Sequence, residues 1–193
     1  MTEETYYKSG KLFIKFSKKD DSLKLFYEDG SLVLSRNIKT DSYIIYHENG
    51  KPLMVFDGNV STLYNENNEV ISKLRDDDLT DIGATLKKLD DGTFELVKGN
   101  EVIAKIDANE EIINYLYSTG ETMLKVNEAT GVTEFFFKNG NTFMKEDGNK
   151  NVLNYKDGKP LYEMDGDSWK IYNEEGEKIA EDFELVTNIK KID

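Results

Sequence analysis

The chain has 193 residues, no cysteine and a formal net charge of −13 at pH 7. The lack of cysteine excludes disulfides, thiolate nucleophiles and cysteine-ligated zinc, and the acidity disfavours nucleic acid and anionic membrane surfaces as partners. With 11 tyrosines, 10 phenylalanines, 14 glycines and 2 prolines, the composition indicates a polar β protein that is long enough to bury a core.

No stretch approaches the roughly 20 apolar residues that a membrane-spanning helix needs. Residues 1–10 also lack the charged start and apolar run of a secretory signal. We therefore expect a soluble chain without membrane insertion. Its localisation stays unknown, since a cysteine-free protein fits the cytoplasm and also fits export with the signal already removed.

A short phrase recurs from the start of the chain, in which an apolar residue, usually tyrosine, stands a few positions before a glycine. The nine copies pair Tyr7 with Gly10, Tyr27 with Gly30, Tyr46 with Gly50, Tyr64 with Asn68, Leu89 with Gly92, Tyr117 with Gly120, Phe137 with Gly140, Tyr155 with Gly158 and Tyr172 with Gly176. Glycine and asparagine accept the positive φ of tight turns. Each copy therefore predicts a β-hairpin in a repeat of about 20 residues.

A second turn signal lies between successive phrases, and it is clearest at residues 57–59, 147–149 and 165–167. The flanking segments alternate apolar and polar residues, as at Leu12, Ile14 and Phe16, which is the period of a half-buried strand. Sequential hairpins predict an all-β fold: an open antiparallel hairpin-repeat meander, curled as a single or two-layer sheet.

The repeat is disturbed in the middle of the chain, where 28 residues separate Gly92 from Gly120. Leu79, Ile82, Leu86 and Leu89 stand there at helical intervals, after the acidic residues 76–78 that suit a helix N-terminus. We predict an N-terminal hairpin-repeat lobe over residues 1–75, an irregular insertion with one short helix over 76–116, and a C-terminal hairpin-repeat lobe over 117–193.

The phrase Y-x-x-(x)-G-K-x-L, at residues 46–53 and 155–161, resembles the variant MORN repeat of bacterial YwqK-type antitoxin proteins. The resemblance covers residues 6–75 and 115–180. A weaker similarity to the YD repeat of Rhs shells rests on residues 57–67, where Asn65 stands in place of the aspartate. The resemblance implies a non-enzymatic β-repeat module that acts by binding, and it transfers no functional residue.

Catalytic and metal-binding chemistry finds little support in the sequence. His47 is the only histidine, so a histidine-rich metal site is excluded, and its place before a turn predicts exposure. Acidic residues at turns suggest calcium ligands but lack the spacing of an EF-hand, and turn hydrogen bonding accounts for them better. These acids are Asp20, Asp21, Asp76, Asp77, Asp78, Asp81, Asp90, Asp91, Asp165 and Asp167. We predict no cofactor, metal or catalytic residue.

The repeated aromatic residues are expected to be structural, whereas Trp169 is unique and no repeat requires it. Trp169, Tyr155 and Tyr172 are therefore the candidate partner-binding residues. The sequence predicts a non-catalytic module for protein–protein interaction, antitoxin- or immunity-like, that binds a basic partner. The alternatives are a structural or cell-surface spacer that self-associates through its sheet edges, and carbohydrate binding.

Overall fold

The computed structural model describes residues 2–75, 78–79, 82–166, 168–181 and 184–185. They belong to two compact units, Met1–Gly83 and Ala84–Asp193, each built on one antiparallel sheet. The described residues form strands and no helix, which confirms the all-β antiparallel meander predicted from the sequence. A helix long and apolar enough to cross a membrane is accordingly not found among them.

The first sheet has nine strands that pair in chain order. They are β1 (Thr2–Tyr6), β2 (Leu12–Ser17), β3 (Ser22–Phe26), β4 (Leu32–Asn37), β5 (Ser42–Tyr46), β6 (Pro52–Phe56), β7 (Ser61–Tyr64), β8 (Val70–Arg75) and β9 (Asp78–Leu79). The turns at Gly10, Gly30, Gly50 and Asn68 all close along one side of this sheet, because alternate connections of a meander share a side. We call that side the loop edge.

Each phrase closes its turn with the same two backbone hydrogen bonds. In the first hairpin the Tyr7 N–H donates to the Lys11 carbonyl at 2.8 Å, and the Gly10 N–H donates to the Tyr7 carbonyl at 2.9 Å. Gly10 has φ of 82°, and Asn68 has 69° at the equivalent position. Glycine and asparagine are thus selected because this hairpin loop ends on a left-handed residue.

A β-bulge follows the loop and decides which side chains are buried. Thr5 pairs with Ile14 but Tyr6 pairs with Leu12, so Phe13 is the extra residue. The ring centroid of Phe13 lies 4.4 Å from that of Tyr7, which places Phe13 on the same side of the sheet as Thr5 and Ile14. The bulge therefore lets two successive residues bury on one face.

The core of the first sheet is a row of directly paired side chains that crosses β1 to β8. The row contains Thr5, Ile14, Leu25, Leu34, Ile45, Met54, Leu63 and Ser72. Every member is buried. We call the face that carries this row the core face, and the opposite face the open face.

The second sheet has twelve strands, again in chain order. They are β10 (Thr85–Lys88), β11 (Phe94–Lys98), β12 (Glu101–Asp107), β13 (Ile112–Leu116), β14 (Thr122–Asn127), β15 (Val132–Phe136), β16 (Thr142–Asp147), β17 (Lys150–Asn154), β18 (Pro160–Asp165), β19 (Ser168–Tyr172), β20 (Lys178–Glu181) and β21 (Glu184–Leu185). Its buried core row contains Ala104, Tyr115, Leu124, Phe135, Met144, Leu153, Tyr162, Ile171 and Ala180. In this sheet too, the core face is the face that carries the core row, and the open face is the opposite one.

The middle of the chain differs from the expected insertion, since the described residues 85–116 form strands β10 to β13. The short helix is not formed there: Leu86 lies in a strand and pairs with Leu96. A few apolar residues at helical spacing did not outweigh cross-strand pairing. Three strands, β11 to β13, separate the Gly92 turn from the Gly120 loop, so these two turns lie on opposite sides of the second sheet, which accounts for the long interval between the two glycines.

Three of the tyrosines that open a loop, Tyr7, Tyr117 and Tyr155, join their hairpin to the next one. Each hydroxyl donates to the backbone carbonyl of the residue just before the next loop. These bonds are Tyr7 to Phe26 at 2.8 Å, Tyr117 to Phe136 at 2.7 Å and Tyr155 to Tyr172 at 2.8 Å. These tyrosines thus stabilise contacts between hairpins as well as covering their own turns.

Candidate functional site

An apolar stripe lies on the open face of the first sheet, beside the loop edge. It consists of four cross-strand pairs, Tyr6–Leu12, Phe26–Leu32, Tyr46–Pro52 and Tyr64–Val70. We call these eight residues the aromatic stripe. Because neighbouring strands are about 4.8 Å apart, an aromatic ring recurs about every 10 Å.

Within the first unit the aromatic stripe has no covering layer, because extensive contacts there are made only between neighbouring strands of the meander. Tyr6 is 46% exposed, and the other seven members are half-buried. An uninterrupted apolar row of this length on an uncovered sheet face is typical of a surface that another molecule covers.

Two tyrosines of the stripe, Tyr6 and Tyr46, have raised pKa values. The Tyr6 hydroxyl donates to Glu4 Oε2 at 2.6 Å, which raises the pKa of Tyr6 and lowers the pKa of Glu4. Burial raises the pKa of Tyr46, against a hydrogen bond with Ser35 that lowers it. Tyr6 and Tyr46 therefore present uncharged rings with hydroxyl groups at their tips.

Carboxylates border the stripe on the side of the loops. Three stripe aromatics are each followed two residues later by a glutamate at the turn, as in Phe26 with Glu28, Tyr46 with Glu48 and Tyr64 with Glu66. Glu48 is exposed, and Glu28 and Glu66 are half-buried. This border would attract a basic group on a molecule that covers the rings.

On its inner side the stripe widens at the centre of the sheet. Ile44 pairs with Val55 on the open face, and both are half-buried. The same row continues to Lys24 on β3, Lys15 on β2 and Glu4 on β1, and at its other end it reaches the exposed Lys73 on β8. The apolar surface is thus broadest at β5 and β6 and bounded by charge at both ends.

The open face of the second sheet is different. Its equivalent pairs include polar residues, as Leu116–Thr122, Phe136–Thr142, Asn154–Pro160 and Tyr172–Lys178. The adjacent row mixes both signs of charge, with Lys105, Asn114, Lys125, Glu134, Lys145, Val152, Glu163, Lys170 and Glu181. A row of alternating charges is well solvated, so a continuous apolar stripe is confined to the first sheet.

A shallow groove of about 450 Å³ lies on this second open face around Phe136. Lys125, Lys138 and Glu121 line it. A hydrogen bond from the Thr119 hydroxyl holds the pKa of Glu121 below its usual range, and the Lys138 ammonium lies 5.5 Å from the Tyr117 ring centroid. The groove is thus a charged surface feature already engaged in local contacts.

The three residues chosen from the sequence do not form one site. Tyr155 is only 4% exposed and belongs to the core face. Trp169 is half-buried on the same face, with its ring centroid 6.5 Å from that of Tyr162. Tyr172 lies on the open face and donates to Glu163 Oε2 at 2.8 Å, while desolvation and this carboxylate raise its pKa to about 12. Their role in partner binding stays a prediction.

His47 is buried, with 6% of its surface exposed, so the predicted exposure was wrong. Its Nε2 lies 3.1 Å from the Tyr64 carbonyl oxygen, the contact that a tyrosine hydroxyl makes in other hairpins. His47 stands three residues before Gly50, as Tyr7 does before Gly10. The preceding Tyr46 therefore points to the open face, because successive strand residues alternate.

Some of the described acidic turn residues accept hydrogen bonds from backbone N–H groups. Asp29 Oδ1 accepts from the Ser31 N–H at 2.8 Å, and Asp91 Oδ1 accepts from the Thr93 N–H at 3.0 Å. No group of three histidine, aspartate or glutamate side chains able to hold a metal occurs among the described residues. Asp76, Asp77, Asp81 and Asp167 lie outside the described residues, as does the side chain of Asp78.

No family model and no curated protein matches the chain. Solved structures that match include the G-box domain of the microcephaly protein CPAP, with 12% identity over 96% of this chain and 100% of that chain and a TM-score of 0.31. The TCP10 domain of Danio rerio CPAP, in complex with a peptide of Danio rerio STIL, has 15% identity over 94% and 98% and a TM-score of 0.38. A structure of the wild-type TCP10 domain of Danio rerio CPAP has 11% identity over 93% and 98% and a TM-score of 0.34.

TM-scores this low establish neither a common fold nor a common function for this chain. The resemblance to MORN-like repeats likewise stays a prediction, since no family model matches.

Sequence reasoning missed the aromatic stripe because it treated all phrase aromatics as one set. Five of them, Tyr7, Tyr27, Tyr117, Phe137 and Tyr155, stand three residues before the turn glycine and are buried in the core. Tyr46, Tyr64 and Tyr172 stand four residues before the turn residue and lie on the open face. The difference of one residue was visible in the sequence and was the available signal.

Proposed function

We propose that this protein is a non-catalytic β-repeat module that binds a basic protein partner, and that the aromatic stripe is its docking surface. The observation that carries the proposal is the uncovered row of Tyr6, Phe26, Tyr46 and Tyr64 with their aliphatic pair partners. Tyrosine and other large rings contribute most of the binding energy at protein interfaces when they become desolvated.

Charge supports a basic partner. The chain carries a formal charge of −13, and Glu28, Glu48 and Glu66 border the stripe. Long-range attraction would speed the encounter of a basic protein with this face, and the rings would then determine how slowly it leaves. An antitoxin- or immunity-like role, with a small basic toxin as the partner, is the finer form of the proposal and rests on the MORN-like resemblance.

The test compares Tyr46→Ser with Phe136→Ser, which removes a half-buried aromatic from the equivalent position of the second sheet. A protein that wild type retains from the source cell at low salt is identified, purified and titrated against each folded variant. We expect Tyr46→Ser to weaken binding at least about tenfold, as for an interface anchor, and Phe136→Ser to leave affinity unchanged. Circular dichroism establishes that each variant is folded.

Salt dependence tests the charge argument separately. The association rate should fall as ionic strength rises, because screening removes the long-range attraction. If wild type retains no protein at low salt, the proposed function is wrong. If a purified partner binds Tyr46→Ser as tightly as wild type, the stripe is not the docking surface.

A further inference from the structure

Four strands have one side without a partner among the described residues: β1 and β9 in the first sheet, and β10 and β21 in the second. Since β9 and β21 have two residues each, β1 and β10 are the longer edges. Among the described residues, two large apolar side chains are exposed, and each lies on one of these two longer edges. Tyr6 on β1 is 46% exposed, and Leu86 on β10 is 55% exposed. Unpaired edges of this kind accept further strands unless charge prevents it.

The charges of the two edges are opposite. Strand β1 carries Glu3 and Glu4, whereas β10 carries Lys87 and Lys88. All four residues of β10 are exposed. The acidic edge of one molecule is thus complementary to the basic edge of another. We propose that copies of this chain associate with each other, with β1 of one copy pairing antiparallel to β10 of the next.

Backbone geometry restricts the register of this pairing. The Tyr7 N–H and carbonyl both bond within the first hairpin, and backbone groups alternate in direction along a strand. Thr2, Glu4 and Tyr6 therefore direct their backbone groups outward. Leu89 bonds inward in the same way, so Leu86 and Lys88 direct theirs outward from β10.

Antiparallel pairing brings outward residues opposite one another. One register sets Tyr6 opposite Leu86 and, two residues along, Glu4 opposite Lys88. The two exposed apolar side chains then cover each other, and the carboxylate meets the ammonium on the same face. Glu4 already accepts from Tyr6 and pairs with Lys15 at 2.9 Å, and a carboxylate has room for a third donor.

Neighbouring registers are worse. A shift by two residues in one direction sets Glu4 opposite Leu86, and a shift in the other direction sets Glu4 opposite Asp90. Two copies could also pair identical strands about a two-fold axis. Pairing β1 with β1 about Glu4 sets the Glu4 carboxylates of the two copies opposite each other, and pairing β10 with β10 about Lys87 sets the Lys87 ammonium groups opposite each other. Like charges directly opposite each other destabilise a sheet.

The contact is heterologous, because each copy offers β1 to one neighbour and β10 to another. Such contacts give open chains of molecules or closed rings. A contact of four or five residue pairs is small beside a stable interface, so the association is weak and depends on protein concentration. This contact does not involve the part of the aromatic stripe that lies on β5 and β6, and the proposed self-association goes beyond the proposed function.

Sedimentation velocity over a concentration series at low salt tests the proposal with the full chain. For wild type, the average mass should rise with concentration and fall back when salt is added. Glu4→Lys alone and Lys88→Glu alone should each lower the association constant about tenfold or more, because each sets like charges opposite each other. An equal mixture of the two variants should recover the association, since each restores the other's charge pair.

Lys24→Glu is the matched control, because Lys24 is an exposed lysine on the interior strand β3, and this variant should associate like wild type. Leu86→Pro provides a second disruption, since it removes one outward N–H of an edge strand and leaves the bonds to β11. Circular dichroism checks that it folds.

Three results would overturn the proposal: a wild-type monomer at every concentration, association of Lys88→Glu equal to wild type, or a mixture that remains monomeric. If self-association is absent, the partner-binding proposal is unaffected, because its test measures how the Tyr46→Ser substitution changes the affinity for a different protein.

Discussion

Replacing Tyr117 by phenylalanine tests whether the loop tyrosines join successive hairpins. The Tyr117 side chain is 7% exposed, and its hydroxyl donates to the Phe136 carbonyl at 2.7 Å. The substitution keeps the ring and removes only the hydroxyl donor, so the Phe136 carbonyl in the next hairpin loses this hydrogen bond. The cost then measures the contact between hairpins rather than the packing of the ring.

A net hydrogen bond is worth about 1 kcal/mol, and an acceptor left unsatisfied in a partly buried place raises the cost towards about 2 kcal/mol. With a urea slope of about 2 kcal/mol per molar, the unfolding midpoint of the second unit should fall by about 0.5 to 1 M. Trp169 is the only tryptophan and lies in β19, so its fluorescence reports the unfolding of this unit.

Tyr172→Phe is the control within the same unit. Its hydroxyl donates to the half-buried carboxylate of Glu163, which water can also satisfy, so we expect a cost of at most about 0.5 kcal/mol. Phe137 occupies the position of Tyr117 in the next hairpin, and Phe137→Tyr should gain stability through the Asn154 carbonyl. Equal midpoints for Tyr117→Phe and Tyr172→Phe would refute the reasoning.

Two further substitutions test the core face. Glu146 pairs with Thr133 and Asn151, and burial raises its pKa. The ionised carboxylate therefore destabilises the fold near neutral pH. This destabilisation disappears as the pH falls through the raised pKa, because the carboxyl group becomes protonated. Glu146→Gln should raise the melting temperature at about pH 7 and leave it unchanged at about pH 4, and an equal gain at both values would contradict this cause. Leu25 is 0% exposed, so Leu25→Ala should cost about 2 to 5 kcal/mol in urea unfolding, and a loss below about 1 kcal/mol would argue against the core row.

The hairpin repeat could be predicted because each turn is determined by a few residues next to one another in the chain. Every phrase glycine has a positive φ, and Asn68 replaces glycine as its tolerance of that conformation allows. Alternation of apolar residues, as at Leu23 and Leu25, likewise identified strands that the structure forms. Both signals involve only a few neighbouring residues, so they can be recognised without knowledge of the rest of the fold.

The candidate site depended only partly on local relations. Whether a phrase aromatic faces the core or the solvent depends on its distance from the turn residue and on the bulge that follows. Tyr7 stands three residues before its turn glycine and is buried, whereas Tyr46 stands four residues before its own and lies on the open face. His47 takes the buried position in its hairpin for the same reason. That the open-face aromatics form one continuous stripe depends on how distant strands pair.

By itself, the sequence determined the antiparallel hairpins, their turns and the acidic character of the surface, because turn geometry and charge are properties of the residues themselves. Only the tertiary structure decided which aromatics form the uncovered stripe, that residues 85–116 continue as strands, and that β1 and β10 are edges of opposite charge. These features depend on which strands pair and in what register. Pairing joins residues distant in the chain, and a single-residue shift exchanges the two faces of a strand.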